Sequence, residues 1–166
     1  MKKACITFIL ALLFLNIFSQ EYELPKNYKL DTDADYTSYE SDVLKSIDWL
    51  LKTPLNTQPG KRKDINTFVI AWISGSPTVT LEIKSEIVNF ATGNPDLLVI
   101  FMCGWTKYAI EKKELVTNKT GSMKGIEAVI DFYVKNKASL KKDKNVEKYI
   151  KMKENGTLEE YISKNA

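Results

Sequence analysis

Asn94-Pro95-Asp96-Leu97-Leu98-Val99-Ile100-Phe101-Met102-Cys103 is the stretch that decides the fold. From Leu97 to Cys103 it is apolar without a break, so by itself it reads as a buried strand or as a helix lacking a polar face. Its flanks decide between the two. Asn94 is a residue type that caps helix N-termini, Pro95 is tolerated at a first helical position, and Asp96 complements the positive end of the helix dipole. Downstream, Thr106-Lys107-Tyr108-Ala109-Ile110-Glu111 continues the segment as helix. A helix from 94 to about 112 is therefore expected. A helix that is apolar all round sits in the middle of a bundle with neighbours on every side.

Working upstream, Gly93 is expected to end a helix over 83–91, with Ile83, Ile87 and Phe90 on one face. Val79 and Leu81 alternate with threonines and are expected to be extended. Ile65, Phe68, Val69 and Trp72 follow i, i+3, i+4, i+7, predicting a helix over 62–74 that stops at Gly75, with Pro77 just beyond. Residues 53–62, with Pro54, Pro59 and Gly60, read as a turn-rich connection. Tyr39, Val43, Ile47, Leu50 and Leu51 predict a first helix over 36–51, preceded by an extended segment over 20–35.

Working downstream, Met123, Ile126, Ile130, Tyr133 and Val134 predict a helix from 121 or 122 to 136. Asp143 is placed to cap another, which carries Val146, Tyr149 and Ile150 and ends near Gly156. Thr157-Leu158-Glu159-Glu160 has the capping-box pattern for a last short helix with Tyr161 and Ile162. No repeat of solenoid length is visible. The fold class expected is all-α: one compact bundle of about six helices over 36–166, with the helix near 94–112 buried at its centre.

The N-terminus carries an address. Met1-Lys2-Lys3 is a positive n-region, and the apolar run from Ala4 to Phe18 is interrupted only by Thr7 and Asn16. That run suits a signal peptide and is short for a membrane span of about 20 residues. Residues 1–19 are read as a signal peptide cleaved after Ser19, so that no integral membrane span remains. The protein is expected to be exported, either periplasmic or secreted. Cys5 precedes the apolar run instead of ending it, which argues against a lipoprotein.

The chain of 166 residues has a formal net charge of +3. Loss of Lys2 and Lys3 would leave +1, and near-neutrality argues against nucleic acid as a partner. The signs are unevenly placed. Residues 21–59 hold eight acids and four lysines, whereas residues 135–153 hold eight lysines and two acids. After cleavage Cys103 is the one cysteine left, so no internal disulfide is available and packing must supply stability. Within its apolar run Cys103 is expected to be a buried, inert thiol.

Several chemistries are excluded outright. The chain has no histidine, which removes Ser-His-Asp and Cys-His catalysis and imidazole zinc sites. One remaining cysteine removes thiolate zinc sites and iron–sulfur clusters. Asp31-x-Asp33-x-Asp35 imitates half of a calcium loop, and Asp42 falls at its twelfth position. However, Tyr36 stands where that loop needs glycine. An acidic entry to a helix N-terminus is the better reading. Ser139-Leu140-Lys141-Lys142 and Lys119-Thr120-Gly121 match S-x-x-K and K-T-G, but in the wrong order and without S-D-N. Glu82, Glu86, Asp96, Glu111, Glu127 and Asp131 could serve a carboxylate-pair mechanism only if two converged in a cleft. Trp49, Trp72 and Trp105 sit at core spacing and are expected to fill the interior.

Trp49-Leu50 with Thr53-Pro54-Leu55, Trp72-Ile73-Ser74-Gly75-Ser76-Pro77, and Asn94-Pro95-Asp96-Leu97-Leu98 running into Phe101-Met102-Cys103-Gly104-Trp105-Thr106-Lys107-Tyr108 give the chain a likeness over most of 36–162. On these residues it resembles a group of small, uncharacterised exported proteins of the Bacteroidetes. The resemblance implies an all-helical exported protein and carries over no activity and no site. No catalytic, cofactor-binding or metal residue is assigned, and no cofactor is expected. The function expected is a non-enzymatic binding or assembly module of the cell envelope, whose partner is an unknown protein or envelope component. The lysine-rich segment 135–153 could meet anionic lipid headgroups or lipopolysaccharide phosphates by simple charge; an ordinary amphipathic helix packed on the bundle is the better reading, because its apolar stripe is narrow and lacks an aromatic anchor at the rim. The alternative function is a small carboxylate-dependent hydrolase.

Overall fold

A computed structural model describes residues 22–113 and 115–166; the expected signal peptide, 1–19, lies outside the described residues. Six α-helices make up the regular structure of the described residues. They are α1 (Asp33–Lys52), α2 (Pro59–Gly75), α3 (Pro95–Lys112), α4 (Asn118–Lys135), α5 (Lys144–Glu154) and α6 (Leu158–Asn165). None is long and apolar enough to cross a membrane.

Helix α3 divides the interior. Leu97, Ile100, Phe101 and Trp105 face a core shared with α4, α5 and α6. Cys103, Ala109 and Ile110 face a second core built by α1 and α2, with Val43, Ile47, Phe68 and Trp72. A helix with a core on two sides needs no polar face in its first turns, which accounts for the unbroken apolar run. The α5–α6 pair packs on α4 and on itself, while α1 packs on α2, α3 and α4.

The α3–α4 contact is close because glycines allow it. A Cβ added at Gly125 would meet the Phe101 ring at 2.4 Å, and one at Gly104 would meet the Lys124 carbonyl oxygen at 2.5 Å and the Ala128 Cβ at 2.6 Å. Gly104→Ala should therefore destabilise, even though alanine ordinarily improves a helix interior by about 0.5–1 kcal/mol. Overpacking costs about 1–3 kcal/mol, and here the obstacle is backbone. A net loss of about 1–2 kcal/mol is expected, read as a lower urea midpoint with an unchanged m-value.

The termini depart from the expected pattern in instructive ways. Helix α1 begins three residues early, at Asp33, because Thr32 and Asp35 form a reciprocal capping box. Helix α2 begins at Pro59, before the expected 62. Helix α4 begins at Asn118, capped by Thr117, whose hydroxyl accepts from the Thr120 amide. Asp143 caps α5 as expected, accepting from the Asn145 and Val146 amides. The capping box at Thr157 does not form: its side chain accepts no cap hydrogen bond, and its hydroxyl instead points back to the Met152 carbonyl at 3.5 Å. Asn94 likewise does not cap α3. Its amide is used across the fold, accepting from the Lys141 amide and donating to the Lys141 carbonyl and the Asp143 carboxylate.

The helix expected over 83–91 is not present. Residues 85–93 form consecutive tight turns, and the segment expected as extended, around 79–81, lies in irregular backbone. Side chains of α5 and α6 hold the turns in place. The Tyr149 hydroxyl donates to the Glu86 and Ile87 carbonyls at 3.2 and 2.9 Å, and Asn145 donates to the Asn89 carbonyl. Those carbonyls would otherwise have continued a helix. Ile87 and Phe90 are fully buried all the same. Their spacing signals burial, which a turn anchored by tertiary contacts satisfies as well as a helix does.

Candidate functional site

The acidic stretch 31–35 is a helix entry. The Asp35 carboxylate accepts from the Asp31 and Thr32 amides at 3.1 and 2.9 Å and from the Thr32 hydroxyl at 2.9 Å. The bond from the Thr32 side chain, then those from the two amides, hold its pKa below the usual carboxylate range. Asp42 lies on α1 and pairs with Lys45. Among the described residues no three acids or thiols gather as a metal-binding group.

The two motif matches sit apart. Lys119, Thr120 and Gly121 open α4 while Ser139 lies beyond its far end, so a helix of roughly 27 Å separates them. Lys119 pairs with Glu159 at 2.7 Å, and the Ser139 hydroxyl accepts from the Asn56 amide at 3.0 Å.

Of the six acids singled out above, four are engaged by lysines. Glu82 is bound by Lys84 and Asn118, Glu111 meets Lys107, Glu127 meets Lys124, and Asp131 meets Lys153. Hydrogen bonds hold Glu82 and Glu86 below the ordinary carboxylate pKa: from Lys84 first for Glu82, from its own backbone amide and Ser85 for Glu86. A general acid working near neutrality needs the opposite shift. Burial would raise Asp48, yet Lys107 and Lys52 more than offset it, and its pKa is also lowered.

Asp96 does line a groove of about 540 Å³ between the α1–α2 connection, the first turns of α2 and α3, and Ser139. The one arginine of the chain, Arg62, forms part of that groove, and its role is structural. It is 6% exposed. Its guanidinium donates to the carbonyls of Thr53, Leu50 and Pro54, with the shortest contact 2.7 Å, and so closes the C-terminus of α1. It lies between the rings of Trp49 and Phe132, at 5.3 and 5.7 Å. Burial lowers its pKa. No feature of the sequence distinguished this arginine; only the absence of any other is visible there.

Of the three tryptophans, Trp72 and Trp105 are fully buried, as expected, whereas Trp49 is half-buried beneath Lys61 and Arg62. Cys103 is fully buried. Burial pushes its thiol from 9.0 up to about 12, against a weaker pull from Arg62. The native protein should therefore resist a thiol reagent and react fully once denatured; rapid labelling of the native protein would contradict this environment. The unfolded thiol ionises near pH 9 and the native one does not, so the stability contributed by the neutral buried thiol is complete below pH 9 and is lost as pH rises toward 12.

The lysine-rich segment is where charge is left over. Lys137 pairs with Glu147 and Lys153 with Asp131. Asp143 is buried as the α5 cap. Lys135, Lys141, Lys142, Lys144 and Lys151 are exposed and form no ion pair among the described residues. Lys148 lies 4.7 Å from the centre of the Tyr161 ring. Tyr161, on α6 as expected, is half-buried and stands beside this basic surface. Comparison with protein-family models, with curated proteins and with solved structures finds no match.

Proposed function

We propose that this protein is a non-enzymatic binding or assembly module of the cell envelope, which engages its partner through the basic surface of α5 and the α4–α5 connection. The observation that carries this reading is the contrast in charge use. Four of the six acids that could have formed a catalytic pair are each held by a lysine, while five lysines around α5 have no such partner. Unpaired like charges gathered on one face favour encounter with an opposite charge. The carboxylate-dependent hydrolase draws no comparable support, since Asp35, Asp48, Glu82, Glu86 and Glu159 are all held below the ordinary carboxylate range.

Export is part of this proposal and is tested by intact mass. Protein recovered from its native compartment should lack about the first 19 residues; full-length chain in the membrane fraction would count against it. Binding is tested by a pull-down from the envelope fraction at increasing salt, run beside a hydrolase screen on esters, glycans and peptides. Retention that weakens as ionic strength rises, without turnover, is the expected result. Turnover abolished by substituting one specific acid, with folding intact, would overturn the reading.

A further inference from the structure

We infer that the ridge of Lys144, Lys148 and Lys151 on α5, headed by Lys141 and Lys142, docks on an anionic phospholipid surface; this rests on the binding reading above. Residues 144, 148 and 151 are spaced i, i+4, i+7 and are exposed, while Val146 and Tyr149 on the other side of α5 are buried. The three lysines therefore form one straight line of charge about 10 Å long. Two acids lie on α5: Glu147 is engaged by Lys137, and Glu154 stands exposed beyond the last lysine, so the three lysines remain in excess.

The kind of cation favours lipid over a shaped protein epitope. Every exposed cation of the chain is lysine, because the single arginine is spent inside the fold. Arginine forks recognise one carboxylate or phosphate with fixed geometry, whereas lysines are mobile point charges suited to a fluid array of headgroups. Tyr161, half-buried beside Lys148, puts an amphipathic ring at the edge of the ridge, as at membrane interfaces. The acids of α1 are not packed against the ridge, since α1 makes no contact with α5 or α6.

The test is co-sedimentation of the exported protein with vesicles of phosphatidylcholine alone and of phosphatidylcholine containing phosphatidylglycerol. The readout is the difference between the two, and its loss in the α5 variant. Binding to the anionic vesicles alone is expected, and it should disappear at high salt. Each lysine near such a surface contributes about five-fold in affinity, so K144Q/K148Q/K151Q should weaken binding about 100-fold. These positions are exposed, so the thermal melt should be unchanged, and K45Q/K52Q, on α1, which packs on neither α5 nor α6, should bind like the parent. Equal binding to both vesicles, or binding that survives the α5 triple substitution, would overturn the inference. So would failure on anionic vesicles while an acidic protein is retained in the pull-down and lost with the same triple substitution; that result would leave the binding reading standing.

Discussion

Trp105→Ala is expected to remove about 3–5 kcal/mol of folding stability, the range for deleting a large buried aromatic side chain. That is about a fifth or more of the stability of an ordinary domain, which is about 5–15 kcal/mol. Trp105 is fully buried between α3 and α4, edge-on to Phe101 at 6.0 Å between centroids. Its ring fills the space that Gly121 leaves: a Cβ added there would lie 2.0 Å from the indole. The pair can be tested as a unit. Gly121→Ala should destabilise the parent protein, yet be close to neutral or stabilising once Trp105 is alanine, giving a coupling energy of about 1–3 kcal/mol in a double-mutant cycle. Additive effects would show that the glycine is not there to admit the ring. Trp105→Phe should be the milder change, since the indole Nε1 has no hydrogen-bond partner and its loss removes a buried unpaired donor.

Arg62→Met should cost about 2–3 kcal/mol, read from the urea midpoint. The methionine recovers apolar packing and is spared the burial of a charge, but it strands the carbonyls of Leu50, Thr53 and Pro54 at the end of α1. Leaving buried acceptors unsatisfied costs about 1–3 kcal/mol, and hydrogen bonds from a charged donor lie at the stronger end of the scale. The contacts with the Trp49 and Phe132 rings are lost as well. Arg62→Lys should recover only part of the loss, because one ammonium cannot reach several divergent carbonyls with the geometry of the planar fork. If Arg62→Met were as stable as the parent, the arginine would have to be retained for something other than closing α1. The groove lined by Arg62 and Asp96 would then become the place to look for a ligand.

The sequence by itself determined the all-helical class, the buried helix at 95–112, the buried Cys103, the Asp143 cap and the exclusion of histidine and multi-thiolate chemistry. These follow from local rules. Apolar spacing reports which side of a helix is hidden, caps report where it starts, and an absent residue type excludes its chemistry whatever the fold. What the tertiary structure decided was everything that depends on residues distant in the chain. Ile87 and Phe90 were legible as buried, but it is side chains more than fifty residues on, those of Tyr149 and Asn145, that hold their segment as a set of turns. Asn94 has the chemistry of a cap and is used instead to hold Lys141 and Asp143. Arg62 is one basic residue among many until Trp49, Phe132 and three carbonyls surround it. The segment 135–153 was legible as lysine-rich, but which of its lysines keep their charge unpaired depended on where Asp131 and Glu147 came to lie. Composition counts charges along a chain; only packing decides which of them meet a partner and which are left to face the solvent.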